Sequence, residues 1–463
     1  MNLHRDILRL AVPSILANIT VPLVGMVDIA VAGHLGASGA MSAAALIGGI
    51  SIGTMLFDML YWNFGFLRGG TGGLTAQAYG RFHAGDQAAA GDITATLKRA
   101  LGIAFGSGLV LVALQWVVVQ VAFLLVTCSP EVQTLATQYF YIRIWAAPAT
   151  LSLFAFKGWF IGMQDTVRPM ICDLLVNALN ILLSIGLGFG YAGLPALGFR
   201  GIAFGTLIAQ WSGFLYAALA VRSRYGALFK DHLQPTENHG WREYFVLNRD
   251  LILRSVCMIA VYIGFTIISA RFGDLMLAVS TIMMKLLMVF SYFTDGFAYA
   301  GEALTGRFIG EKSRDGVLST VRQTFVWSLG VTGLFFLVYG VGGVPLLRLM
   351  TSDASVVEAG REFIPWLLLM PVIGCPAFTW DGIFMGATAS KDLRNSTAWC
   401  VVGFFAVWFI GAWLGEAFNS GSPGIGGLLP ETAIHILMAA YFTHLLIRAL
   451  YLTLRWRKAI PFV

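Results

Sequence analysis

Twelve stretches of this 463-residue chain stay apolar for about 20 residues or more, the length an α-helix needs to cross the hydrocarbon layer of a bilayer. They fall near 7–33, 40–66, 98–126, 134–161, 168–191, 198–221, 250–271, 276–303, 320–350, 361–386, 394–416 and 430–453. Charged residues make up only 12% of the chain, against roughly 25% in soluble domains, so too little charge is present to coat a soluble surface of this size. The expected fold class is therefore an all-α polytopic membrane protein with twelve transmembrane helices. Arg5 and Arg9 lead into an apolar stretch too long for a signal-peptide core, and no clear small-residue cleavage site ends it. The first segment is expected to be a retained helix. The five cysteines form no CxxC pair and read as small packing residues rather than a disulfide framework or a metal site.

The net charge of +6 could suggest a polyanion partner, but the positions of the basic residues argue otherwise. With a cytoplasmic N-terminus and alternating sides, about 22 Lys and Arg residues, Arg254 and Arg448 among them, gather at cytoplasmic ends. Arg200, Arg271, Arg348 and Arg361 remain outside, while Arg68, Arg143, Lys157 and Lys285 lie within spans or at their edges. This is the positive-inside bias of a multi-pass protein with both termini in the cytoplasm. No nucleic-acid partner is expected.

The longest polar connection divides the spans six and six. The expected organisation is an N-terminal lobe at 1–225, a cytoplasmic linker loop at 226–249 and a C-terminal lobe at 250–463. The halves echo one another. "DILRLAVPSIL" (6–16) faces "DLILRSVCMIA" (250–260), and "AVAGHLG" (30–36) faces "IISARFG" (267–273). "GLTAQAYGR" (73–81) faces "ALTGRFIGE" (303–311), and "GWFIGMQDT" (158–166) faces "GIFMGATAS" (382–390). Matches in the same order imply duplication. An even number of spans per half implies parallel repeats, with a substrate site expected between them.

Within the spans, the acids stand out. A charge placed there costs about 2.5–3.5 kcal/mol on insertion scales. Asp28 interrupts "VPLVGMVDIAVAGHLG" toward the outer end of the first span, on a helix that also carries Pro13 and Pro22, both able to kink it. Burial favours the neutral acid and polar neighbours favour the carboxylate, so an acid here is placed to exchange protons. A purely structural carboxylate capped by hydroxyls is the plainer alternative. On the fifth span, Asn177, Asn180 and Ser184 share one face at spacings of 3 and 4. Thr206 and Gln210 on the sixth span either complete the pocket or make ordinary helix–helix hydrogen bonds. On the eighth span, Lys285, Met288, Tyr292, Asp295, Tyr299 and Glu302 form one stripe, suited to a cation through carboxylates and aromatic faces. Asp381 on the tenth span aligns with Lys157 in the half-repeat, which sets an acidic C-lobe pocket against a cation in the N-lobe. An internal pairing of Lys285 with Asp381 is the plainer reading of those charges. The glycines of "RGGTGG" (68–73) lack a following GK[ST] and read as close helix packing, not a phosphate loop.

Five phrases, "ILRLAVPSI", "VDIAVAGHLG", "FLRGGTGGLTAQAYG", "DGFAYAGEALTGRFIG" and "WDGIFMGAT", together resemble the MATE (multidrug and toxic compound extrusion) transporters, in particular their DinF-like branch. The resemblance implies two pseudo-symmetric six-helix lobes in a V around a central cavity, with drug efflux driven by H⁺ or Na⁺. It gives Asp28 the coupling role. It also marks Ser184 as a departure, because many members carry a second carboxylate there. With Asp28 alone, proton coupling is the simpler chemistry.

The resulting expectation is a secondary active exporter of the bacterial inner membrane, an antiporter driven by an inward H⁺ gradient and alternating access between the lobes. Asp28 would be its protonation switch and organic cations or amphiphiles its substrates. A monomer in the lipid bilayer is expected, with no cofactor beyond the coupling H⁺ or Na⁺ and no metal. The alternative within the same plan is a lipid or lipid-linked oligosaccharide flippase. A channel fits the repeats and the kinked helix less well. A membrane-embedded enzyme is disfavoured, because HExxH, CxxC and GxSxG patterns are all missing.

Overall fold

The structure is a computed structural model describing residues 3–38, 42–125, 128–229, 241–351, 353–418 and 428–461. The described residues form α1 (Leu3–Ser38), α2 (Ala43–Trp62), α3 (Phe66–His83), α4 (Ala89–Ala113), α5 (Gln115–Leu125), α6 (Pro130–Arg143), α7 (Ala147–Gly162), α8 (Val167–Phe189) and α9 (Phe199–Tyr225). They continue as α10 (Trp241–Ala270), α11 (Asp274–Gly310), α12 (Arg314–Met350), α13 (Ala354–Arg361), α14 (Ile364–Gly386), α15 (Ser390–Phe418) and α16 (Pro430–Ala459).

Twelve helical segments among them are long and apolar enough to cross a membrane. The second joins α2 to α3, and the fourth joins α6 to α7 through the 3-10 turn Ile144–Ala146. The chain is a multi-pass membrane protein. Its outward residues are apolar to a degree that water would not support: Val341, Leu124 and Leu349 are 80–85% exposed. Several starts follow from local chemistry. Ser42, Ser129 and Ser313 each accept from a backbone N–H three residues on, and Pro130 follows Ser129 at the first helical position.

The chain divides into two compact units, Met1–Ile15 with His239–Val463, and Leu16–Asn238. The boundary inside α1 has a packing reason: a Cβ at Gly296 of α11 would lie 2.4 Å from Ile15 and 2.9 Å from the Ala11 carbonyl. The start of α1 thus belongs with the second half of the sequence, where the sequence alone groups residues 1–225. One unit has a core around Phe290, Leu367, Phe404 and Leu437. The other is centred on Ile93, Leu97, Trp159 and Phe160, with the Trp159 indole donating to the Ile93 carbonyl at 3.1 Å.

Both halves repeat one packing motif in register. In "GWFIG" a Cβ at Gly158 would meet the Arg68 carbonyl at 2.1 Å, and one at Gly162 the Gly72 carbonyl at 2.7 Å. In "GIFMG" a Cβ at Gly382 would meet the Ala298 carbonyl at 2.0 Å, and one at Gly386 the Glu302 carbonyl at 2.2 Å. Pairing "GLTAQAYGR" with "ALTGRFIGE" carries Arg68 onto Ala298 and Gly72 onto Glu302. The same glycines therefore touch the same carbonyls in each half, a GxxxG crossing copied with its register. The turns that follow are copied too. Gln164 and Thr388, equivalent in the repeat, both adopt left-handed backbone, with φ of 60° and 54°. For β-branched Thr388 that conformation is strained. Thr388→Gly is expected to raise unfolding stability by about 0.5–1 kcal/mol, measurable as a shifted denaturation midpoint in detergent.

Candidate functional site

In the unit Leu16–Asn238, Asp28 is 6% exposed and accepts a hydrogen bond from the Ser184 hydroxyl at 2.9 Å. Ser184 Oγ also lies 3.4 Å from Asn180 Oδ1, and the Asn180 amide donates to Thr206 Oγ1 at 2.8 Å. Thr206 in turn donates to the Ile202 carbonyl at 3.2 Å, so its oxygen must accept from Asn180. That fixes the amide orientation and leaves Asn180 Oδ1 facing Ser184. Asn177, further down α8, donates to Thr20 at 2.7 Å. Thr20 and Asp28 thus meet Asn177 and Ser184 in the same order, which makes α1 and α8 parallel neighbours, as first and fifth spans of an alternating chain must be.

Glycines in α9 make this network reachable. Cβ atoms at Gly201 and Gly205 would fall 2.5 Å from the Leu187 carbonyl and 2.8 Å from the Ser184 nitrogen. Only side-chain-free positions let α9 approach α8 closely enough for Thr206 to reach Asn180. The structure therefore brings Asp28, Asn180, Ser184 and Thr206 into one buried chain of hydrogen bonds, with Asn177 a turn away. Pro13 is half-buried and Pro22 exposed within the unbroken helix α1.

Asp28 has no ion-pair partner among the described residues, but the Arg143 guanidinium acts on it electrostatically. Arg143 escaped selection as a site residue from sequence alone. Its side chain donates to Tyr139 at 3.0 Å and lies 4.7 Å from the Phe57 ring, and it also feels Asp58. The available signal was a lone arginine deep in the fourth span, one turn after Tyr139.

In the other unit, the α11 stripe divides by depth. Lys285 is exposed, Met288, Tyr292, Asp295 and Tyr299 are half-buried, and Glu302 is 1% exposed beneath the Gly386 crossing. Tyr292, Asp295, Tyr299 and Glu302 all have interaction partners. Asp381 does not join the stripe and does not pair with Lys285. Neighbouring Gly382 faces α11, and the Asp381 carboxylate instead accepts from Arg254 of α10 at 2.6 Å and lies 3.3 Å from Arg448 of α16. Sequence position assigns both arginines to cytoplasmic ends, and the structure turns their head groups onto a span acid. At the equivalent register of the first half, Lys157 pairs with Asp173 at 2.5 Å.

The MatE family model matches residues 13–185 and 251–409, one segment in each half of the sequence. The chain is 32% identical over 452 residues to DNA damage-inducible protein F of Escherichia coli (strain K12), covering 97% of this chain and 91% of that one. It is 22% identical over 425 residues to the probable multidrug resistance protein NorM of Thermotoga maritima, covering 89% of each. Among solved structures, the Vibrio cholerae MATE transporter VcmN in its bent form is similar with a TM-score of 0.78 at 17% identity, over 99% of this chain and 97% of that one. A MOP superfamily transporter from Pyrococcus furiosus, described as having a binding pocket of reverse polarity, gives 0.75 at 17% identity, over 99% and 97%. The shared helical plan, the two matched segments and the near full-length identity agree: this chain belongs to the MatE family, whose members are transporters and not enzymes.

Proposed function

We propose that this chain is a proton-driven antiporter of the bacterial inner membrane, with both termini in the cytoplasm, that exports small organic cations and amphiphiles by alternating access. Relatives named as multidrug resistance proteins support the breadth of substrates. The observation that carries the coupling reading is the Asp28–Ser184–Asn180–Thr206 chain. Ser184 has one hydroxyl proton and two acceptors within reach. When Asp28 is ionised, that proton points to its carboxylate at 2.9 Å. When Asp28 takes up a proton, it becomes a donor to Ser184 Oγ, and the hydroxyl turns toward Asn180 Oδ1, now 3.4 Å away. Ser184 and Asn180 both belong to α8, so what changes between helices is the Ser184–Asp28 contact with α1: a charge-assisted bond becomes a neutral one, and proton uptake becomes a change in helix packing. Substrate release from the outward-open state would follow proton entry at Asp28.

A flippase of anionic lipids is the second reading, favoured by the two arginines at Asp381. Coupling is tested in proteoliposomes holding a fluorescent organic cation. A pH gradient without sodium is expected to drive transport, and a sodium gradient at equal pH is not. Transport under sodium alone would overturn proton coupling.

A further inference from the structure

The Arg254–Asp381–Arg448 cluster holds two guanidinium groups against one carboxylate, all within spans. At the matching register of the first half, Lys157 pairs with Asp173. A buried excess charge is unfavourable in a low-dielectric interior unless an opposite charge meets it. Arg448 is 1% exposed, and its Nη1 serves Asp381 and the Met258 sulfur at 3.5 Å. Its Nε and Nη2 are buried without a hydrogen-bond partner among the described residues, as are Arg254 Nε and Asp381 Oδ1. The Nε and Nη2 groups form one edge of the guanidinium, the fork that grips two oxygens of an oxyanion at once. Phe378 covers the face of the same group, its ring centre 5.1 Å from the guanidinium carbon. With face and far end occupied, the open edge is the only one left to a ligand. The side chains of Arg254 and Asp381, 20% and 15% exposed, give the cluster an outlet that Arg448 lacks.

We propose that this cluster is an anion site that takes the carboxylate, sulfonate or phosphate group of an amphiphile on the Arg448 edge, with Arg254 as second cation. Asp381 holds the two guanidinium groups apart and in register. Its unpartnered Oδ1 favours ligands with a hydroxyl or N–H beside the anionic group. The site extends the substrate range of the exporter beyond cations. It is read out by binding without any gradient, so its failure leaves proton coupling at Asp28 untouched.

The test uses the full-length protein in phosphatidylcholine nanodiscs, with labelled octanoate as probe and octanesulfonate and octyltrimethylammonium as competitors. Octanesulfonate is expected to displace octanoate, and octyltrimethylammonium is not. Arg448→Gln should weaken octanoate by about tenfold or more, and Arg448→Lys nearly as much, because lysine keeps the charge but loses the fork. Asp381→Asn should tighten it, since a competing negative charge is gone; it retains both cations and carries the test if Arg448→Gln does not fold. Repeating the titration with phosphatidylglycerol in the disc separates two supporting outcomes. A weaker apparent affinity means that lipid headgroups occupy the site, and an unchanged one means that free amphiphiles do. Absence of octanoate binding, equal displacement by octyltrimethylammonium, or wild-type affinity in Asp381→Asn together with whichever Arg448 variant folds would overturn the proposal.

Discussion

Asp28→Asn should reduce pH-driven export to the level of protein-free liposomes while leaving a folded protein. The amide has the shape of the protonated acid, and its oxygen still accepts from Ser184, which now donates at 2.9 Å. The fold loses no hydrogen bond at that oxygen, so unfolding stability should shift by less than about 1 kcal/mol. What disappears is the titratable proton: an amide neither takes one up nor releases one, so the Ser184 turn is no longer tied to the pH gradient. Exchange of substrate down its own gradient should survive in the variant, because it needs no proton. Ser184→Ala is expected to fall between wild type and Asp28→Asn: the acid still titrates, but the Ser184 hydroxyl contact, about 1.5–3 kcal/mol for a charged acceptor, is gone. If Asp28→Asn retains gradient-driven transport, the proton enters elsewhere, and Asp295 and Glu302 on α11 become the groups to neutralise next.

That network was legible before any coordinates because its parts lie close in helical phase. Asn180 and Ser184 are one turn apart on α8, and a lone acid in an apolar span announces itself by its cost. Thr206 was legible for the same reason, as one of few polar residues on its span. The arginine cluster was not. Counting basic residues by distance from a loop places Arg254 and Arg448 near the cytoplasm, yet the count is silent on which way a long side chain reaches. Three helices, α10, α14 and α16, converge on Asp381, and none of those contacts is local in sequence. The α11 stripe illustrates a further limit. Its residues share a face, but that helix is 37 residues long, about 55 Å, well beyond a hydrocarbon layer of about 30 Å. One face of such a helix passes from exposed Lys285 to buried Glu302, and periodicity alone cannot say where the change occurs. The start of α1 behaves likewise: nothing local in Leu3–Ile15 reveals that Gly296, far along the chain, leaves room for it.

Gly158→Ala and Gly382→Ala should each destabilise the protein by about 1–3 kcal/mol or more, and by similar amounts. A new Cβ would stand 2.1 Å from the Arg68 carbonyl oxygen in one case and 2.0 Å from that of Ala298 in the other. Ordinary contact needs more than 3 Å, so the crossing helices must part by about 1 Å, and backbone oxygens cannot rotate away as side chains can. Parting α7 from α3, or α14 from α11, also opens the crossings at Gly162 and Gly386, where the next Cβ positions are already within 2.7 Å of a carbonyl. Gly106→Ala on α4 is the matched control. Nothing lies within 4 Å of its Cβ position, and alanine is the better helix former by about 1 kcal/mol, so this change should be neutral or stabilising. Denaturation midpoints of the three variants in one detergent decide the matter. Because the two sensitive glycines lie in different compact units, the double variant should show nearly the sum of the single effects. If only one glycine proves sensitive, the duplicated register survives in geometry but no longer carries equal stability in both halves.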